Sequence, residues 1–351
     1  MDHFAANRRS FLAGLGISAA GLAFGGALLP RRGFAAEGGK PEVTSLEIIS
    51  VRDPQHSAQL ALAKELGYFS DEGLDVTLNY TVNGPDLPSL AASGKVQVLS
   101  SALEQVAALR EKGLDFKWVM KLSDISNTQG VVIGNNSGIE KPADFAGKRI
   151  GMYKGAAVEL AILNMTKAYG IDFGSLQFIN MEPPEQALAL MRGDIDVMAC
   201  WEPYVSNAAK MGGRPYFTGS RSYVDGADDP KAVNWLNLAT GLTTTGDFIK
   251  SSPNTLAALM RAVLKANDLL ATDVNAAVDP IARNLGIPKD GLADILSKNE
   301  YDTVIDARLM DGYPVYQDWA ISRGYLTTGA PMSELLDLSL LRQVKPDAVK
   351  I

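Results

Sequence analysis

The side chains that most often carry chemistry are scarce in this sequence. It holds two histidines, His3 and His56, and one cysteine, Cys200. That inventory cannot build a His-rich metal site, and it leaves little general acid–base capacity. There is no His-Glu-x-x-His, no Cys-x-x-Cys, no phosphate loop ending in Gly-Lys-Ser/Thr and no nucleophile elbow. Asp194 and Asp196 flank Ile195 and share one strand face, which reads as a solvated strand edge. No catalytic residue, metal or cofactor is expected.

Groups suited to holding a ligand are better represented. They sit where an open parallel sheet gathers ligands, beyond the carboxyl ends of strands and beside helix N-termini. Gln55 and His56 follow the first strand. Asn83 and Gly84 follow the second, and Ser100 and Ser101 the third. In a second set, Tyr153, Lys154, Gly155 and Ala156 precede a helix, and Trp201 and Glu202 follow another strand. Lys154 supplies a positive charge beside the Gly155 helix start. Trp201 offers an aromatic face at the sheet edge. Tyr223 and Asn237 complete the candidate set. Each has a structural alternative. Asp53, Asn83 and Asp86 also read as turn or cap residues, Ser100 and Ser101 as an N-cap, Lys154 as a solvated lysine and Trp201 as core. Cys200 reads as an inert buried thiol.

The elements that must place these residues alternate between strand and helix. Strands are expected at 46–51, 75–80, 96–99, 118–120 and 130–133. Helices are expected at 57–66, 87–92 and 103–111. The pattern then restarts, with strands at 149–153, 176–179 and 195–198 and helices at 158–169 and 184–191. Gly94 and Gly193 close corresponding helices 99 residues apart. One strand–helix–strand–helix–strand unit is therefore used twice, giving two similar lobes. Helices follow at 253–271, 274–285, 289–298 and 307–323, with no new strand. They must pack on an existing lobe. The chain then crosses between lobes twice, near 125–130 and 237–245, which makes a hinge and a cleft. The expected division is residues 44–128 with 246–345 in one lobe and 129–245 in the other.

Length and charge bound the rest. The chain has 351 residues and a net charge of −7, with 46% apolar and 21% charged residues. Such a length accommodates two domains. The acidic balance argues against a nucleic-acid partner. Arg8-Arg9-Ser10-Phe11-Leu12 opens an uncharged stretch to Pro30, and Arg31-Arg32-Gly33-Phe34-Ala35-Ala36 follows it. Residues 1–35 read as an export signal of the twin-arginine class. Their removal would leave 29 basic and 39 acidic residues, a net of −10, with His56 as the one histidine.

Three segments carry a resemblance. They are Ala63-Lys64-Glu65-Leu66-Gly67-Tyr68-Phe69-Ser70-Asp71-Glu72-Gly73-Leu74-Asp75-Val76, then Gly193 to Val197 leading into Trp201-Glu202-Pro203-Tyr204, then residues 316–326. Together with the leader they resemble the substrate-binding proteins of ABC importers for nitrate, sulfonates, taurine and thiamin-precursor pyrimidines, the NMT1/THI5-like group. The resemblance implies an α/β, two-lobed type II periplasmic binding protein. Each lobe is then a mostly parallel sheet flanked by helices, joined by two crossing hinge strands. It implies a periplasmic protein that catches a small organic molecule, anionic or aromatic, and passes it to a membrane permease with its ATPase. A monomer is expected. Carried over, Gln55-His56, Ser100-Ser101, the Gly155 helix start and Trp201-Glu202 correspond to cleft positions. Sulfonate and taurine binders of the group commonly have a hydroxyl residue just after the glycine; here Ala156 and Ala157 stand. The alternatives are an enzyme of the same fold acting on a pyrimidine precursor and a ligand-sensing partner of a membrane receptor.

Overall fold

The computed structural model describes residues 39–93, 96–226 and 230–351. The expected export signal and the closing Gly94 lie outside these residues. Among the described residues, no helix is long and apolar enough to cross a membrane.

Among the described residues, twelve strands form two sheets. The first contains β1 (Ser45–Val51), β2 (Asp75–Thr81), β3 (Val98–Ala102), β4 (Phe116–Asp124) and β12 (Ala239–Thr245). Their order is β2-β1-β3-β12-β4. The second contains β5 (Gln129–Ile133), β6 (Arg149–Met152), β7 (Gln177–Asn180), β8 (Val197–Trp201), β9 (Arg214–Thr218), β10 (Arg221–Ser222) and β11 (Lys231–Ala232). It runs β11-β10-β9-β5-β8-β6-β7. In each lobe three strands pair in parallel, β2-β1-β3 in one and β7-β6-β8 in the other. Each parallel set is then extended by antiparallel strands. Beside β3 lies β12, which returns from the second lobe; beside β8 lies β5, which arrives from the first. The two lobes thus share one topology and exchange a strand each.

The exchanged strands explain a shift from the sequence expectation. The third strand of each unit lies two to three residues later than its local pattern suggests. Ladders with β12 hold β3 through Ala102, and ladders with β5 hold β8 through Trp201. Ser100, Ser101, Cys200 and Trp201 are therefore strand residues rather than turn residues. β3 and β8 start 99 residues apart and are buried along their whole length.

The helices cover both sheets. The Pro54–Glu65 helix is buried from Pro54 to Ala63, enclosed between its sheet and the Pro253–Thr272 and Val274–Leu285 helices. Those late helices therefore pack beside the first sheet. Arg261 Nε pairs with Glu72 Oε2 at 2.7 Å, and Tyr80 donates to Asn284 Oδ1 at 2.5 Å.

Strand β12 must lie close to the buried indole of Trp118 on β4. A Cβ at Gly241 would come within 2.0 Å of Trp118 Cε2. The indole cannot retreat, because its Nε1 donates to the Ser101 carbonyl at 3.0 Å. Gly241→Ala should destabilise the protein by about 1–3 kcal/mol through overpacking. Chemical unfolding checks this, and an unchanged midpoint would contradict the packing described.

Candidate ligand cleft

The cleft is built from the ends of both parallel strand sets. On the first lobe, β1 ends at Val51 and Asp53 caps the Pro54–Glu65 helix. Its Oδ1 accepts from the His56 backbone N–H at 2.9 Å. Proline at the first helical position suits this start. The Gln55 carbonyl is held by Ser123 Oγ at 2.8 Å and Thr240 Oγ1 at 3.0 Å, one from each strand that adjoins a crossing. Gln55 Nε2 reaches the second lobe and donates to the Glu202 carbonyl at 3.0 Å. Gln55 Oε1 is buried and has no partner.

Ser100 sets the protonation of His56. Ser100 Oγ donates to the His56 carbonyl at 2.9 Å, so it is free to accept from the ring Nδ1 at 3.3 Å. This network assigns the proton to Nδ1 and leaves Nε2 as an acceptor. Burial lowers the His56 pKa to about 4, so the ring is neutral near pH 7. Beside it, Gln105 Oε1 accepts from the Ala102 N–H at 3.0 Å and closes the start of the Leu103–Glu111 helix. Its Nε2 is then available toward Gly84.

Two carboxyl groups line the same space. Burial pushes Asp53 up to about 7, outweighing the His56 and Gln55 N–H bonds that favour its charged form. Glu104 is half-buried by surface but enclosed by protein around its carboxyl, and burial pushes it up to about 7 as well.

The second lobe supplies Gly155, Ala156 and Ala157 at the start of the Val158–Tyr169 helix, which no side chain caps. Gly155 has φ 84°, a conformation that favours glycine. Trp201 is 6% exposed and meets Tyr204 edge-on, with ring centroids 6.2 Å apart. Ile125 and Leu238 from the two crossings also line the space, as does Tyr316 from the Ala307–Ser322 helix. The cavity encloses about 560 Å³ of empty space, its open mouth included. A wider outer space shares Pro85, Glu104, Gln105, Gly155 and Tyr316 with it and adds Tyr153 and Lys154.

Of the residues expected from sequence, Gln55, His56, Gly84, Gly155, Ala156 and Trp201 line the inner cavity. Tyr153 and Lys154 line the outer space, with Lys154 exposed. The others do not line either space, because their side chains or backbones are engaged elsewhere. Asn83 Nδ2 bonds Asp86 and, across the cleft, Glu182 Oε2 at 3.2 Å. Ser100 serves His56, and Ser101 Oγ pairs with Thr243 Oγ1 at 2.7 Å. The Glu202 carboxylate accepts from Ser206 and pairs with Lys298 Nζ at 2.9 Å. Tyr223 packs beside β9, its N–H bonded to the Tyr216 carbonyl. Asn237 donates to the Arg308 carbonyl at 2.6 Å, beside a separate cavity near Trp235. The sequence places Asp53 at a strand end with a turn or cap role as its alternative, and does not single out Glu104, Gln105, Gln129 or Tyr316. Glu104 and Gln105 follow the third strand directly, so the strand-end rule that selected Ser100 would have reached them had the strand been extended. Burial pushes the Cys200 thiol far up, which keeps it protonated and unreactive.

This topology, with a cleft between two lobes that exchange strands, is the fold of the two-lobed periplasmic binding proteins. The aliphatic sulphonate binding protein of Escherichia coli superimposes with a TM-score of 0.69 at 16% identity, over 84% of this chain and 92% of that one. The chain belongs to the NMT1/THI5-like family, whose model matches residues 53–277. Among curated relatives, an aliphatic sulfonates-binding protein of Bacillus subtilis is 28% identical over 178 residues. That match spans 50% of this chain and 54% of the relative, about half the length of each. A 4-amino-5-hydroxymethyl-2-methylpyrimidine phosphate synthase of Saccharomyces cerevisiae is 28% identical over 279 residues, covering 75% of this chain and 76% of that one.

Proposed function

We propose that this chain is the exported solute-binding component of an ABC importer. It captures a small organic molecule between its lobes and presents it to a membrane permease coupled to an ATPase. In this reading residues 1–35 direct export to the periplasm and the mature protein acts as a monomer. Residues 44–128 with 246–345 form one lobe and 129–245 the other. The observation that carries the proposal is a cavity with an open mouth lined from both lobes, with Trp201 and Tyr316 both among its lining residues. Ligand contacts with both lobes favour the closed arrangement, which is how capture is coupled to closure. A micromolar complex needs about 8 kcal/mol in total. Stacking on Trp201 and a few buried hydrogen bonds supply contacts of that order.

The test begins with native mass spectrometry of protein purified from its own periplasm, which gives the mass of a retained ligand. Trp201→Ala should then weaken calorimetric binding of that ligand by about ten-fold or more. Unchanged affinity would reject the aromatic platform.

One observation favours a second reading, an enzyme of the same fold. Asp53 and Glu104 both titrate near neutrality in the cavity, a range suited to proton transfer, and a synthase is among the relatives. Cys200 offers that reading no nucleophile. Product analysis after incubation with candidate solutes separates the two readings, since turnover would reject a pure binder.

A further inference from the structure

We propose that the cavity near Trp235 is a second binding site, which takes a neutral polyhydroxylated molecule such as a monosaccharide or sugar alcohol. It does not depend on the capture reading. It lies between the Val158–Tyr169 helix, which packs on the second sheet, and the Ala307–Ser322 helix, which packs on the Leu103–Glu111 helix beside the first. It holds about 1090 Å³ of empty space, its open mouth included, against about 560 Å³ for the inner cavity. It shares no lining residue with that cavity or with the outer space. Concave spaces between two packed units are where small molecules preferentially bind.

Its walls are set in advance of any ligand. Asn164 Nδ2 donates to the Trp235 carbonyl at 2.8 Å, and Asn237 Nδ2 donates to the Arg308 carbonyl at 2.6 Å. Both amides are thereby oriented, with Oδ1 left to accept. Gly312 allows the second of these bonds, because a Cβ there would come within 2.5 Å of Asn237 Nδ2. Trp235 is 8% exposed and is held edge-on by Phe217 and Tyr169, with ring centroids 5.1 and 6.3 Å away.

The charges on the wall select a neutral occupant. Arg308 and Asp311 are three residues apart on one helix and put both signs on the same wall. Arg308 is already balanced by Asp124 Oδ2 at 2.7 Å and Glu300 Oε2 at 3.2 Å. A cationic ligand would meet the guanidinium, and an anionic one the Asp311 carboxylate. A hydroxyl suits the polar groups present, since it donates to the carboxylate and the amide oxygens and accepts from the Asn234 amide. Leu160, Trp235 and Val315 supply apolar surface for the C–H groups between the hydroxyls.

Titrations followed by saturation-transfer NMR on the purified protein test the proposal with matched probes. Glucose, galactose and mannitol are neutral, glucosamine adds a cation and glucuronate an anion. The expected result is binding of a neutral probe at millimolar concentration, with both charged analogues weaker. Asp311→Ala should weaken the bound neutral probe by about ten-fold, through loss of a bond to a charged acceptor. Val315→Trp should abolish binding by filling the cavity. Both positions are exposed, Val315 at 54%, so neither change disturbs the core. Silence from all three neutral probes overturns the proposal, as does tighter binding of a charged analogue. Sugar binding that both variants leave intact would place the sugar elsewhere and overturns it too. Capture in the cleft stands or falls separately, on the retained ligand and Trp201→Ala.

Discussion

Replacing Glu159 with alanine will release the two lobes at the cleft mouth and lower ligand affinity about ten- to hundred-fold, although Glu159 does not line the inner cavity. Glu159 sits in the first turn of the Val158–Tyr169 helix and is 1% exposed. Its carboxylate receives Arg323 Nε at 2.5 Å and the Tyr325 hydroxyl at 2.9 Å. Both partners follow the Ala307–Ser322 helix, which packs on the Leu103–Glu111 helix beside the first sheet, so the cluster is a strap across the cleft. Arg323 also lies over the rings of Phe173 and Phe178, 5.7 and 5.9 Å from their centroids. Burial, with Glu159 beside it, pushes the Tyr325 phenol up to about 12, so it stays a donor.

Breaking a fully buried pair by removing one partner costs about 3–5 kcal/mol. The Arg323 side chain is 38% exposed, and water takes over part of its bonding. A loss of about 1–3 kcal/mol follows, and all of it falls on the closed arrangement. Small-angle scattering of the variant should show a larger radius of gyration without ligand. Glu159→Gln keeps an acceptor for Tyr325 and should fall between the two. Unchanged scattering together with unchanged affinity would show that the strap does not govern closure.

The outline of this fold was legible because its local signals agree with its tertiary partners. The helices at Pro54–Glu65, Val158–Tyr169 and Ala307–Ser322 start and stop close to where caps, prolines and glycines place them. The ends of β3 and β8 were not legible. The strands that extend them, β12 and β5, come from elsewhere in the chain, and no local pattern encodes that pairing. The cleft divides in the same way. Gln55, His56 and Gly155 follow strand ends whose position is local, and they line the cavity. Asn83, Glu202 and Asn237 have equally suitable types at equally suitable places. Their partners are Glu182, Lys298 and Arg308, and a polar residue at a strand end looks the same whether its partner is a ligand or a distant residue of the protein. Tyr316 reaches the cavity from a helix more than a hundred residues beyond Trp201, so only the packing of that helix discloses it.

Asp53→Asn will change how stability depends on pH, and the sign is fixed by burial. A charged aspartate at a helix N-terminus is ordinarily favoured, by about 0.3–1 kcal/mol. Here desolvation outweighs that term and the two backbone N–H bonds, and it raises the pKa from 3.8 to about 7. The titratable groups that face Asp53 are His56, Cys200, Tyr204 and Tyr301, and none offers it a positive charge near pH 7. A carboxyl raised on folding contributes stability that is full below about pH 3.8 and is lost as pH rises through about 7. Glu104 shifts in the same direction. His56 acts oppositely. Its pKa falls from 6.5 to about 4, so its contribution is present above 6.5 and is lost as pH falls through 4. Between about pH 4.5 and 6.5 His56 therefore cancels one of the two carboxyls, and the wild-type protein still loses stability as pH rises. Asparagine keeps the Oδ1 that accepts from the His56 N–H and is itself a good cap, but it cannot ionise. The ligand-free variant should gain on the wild type by about 1–4 kcal/mol between pH 4 and pH 8. Denaturant unfolding of both proteins across that range measures the difference. A gap that stays constant with pH would mean that Asp53 ionises normally in the fold, and that the cavity is wetter than its geometry indicates.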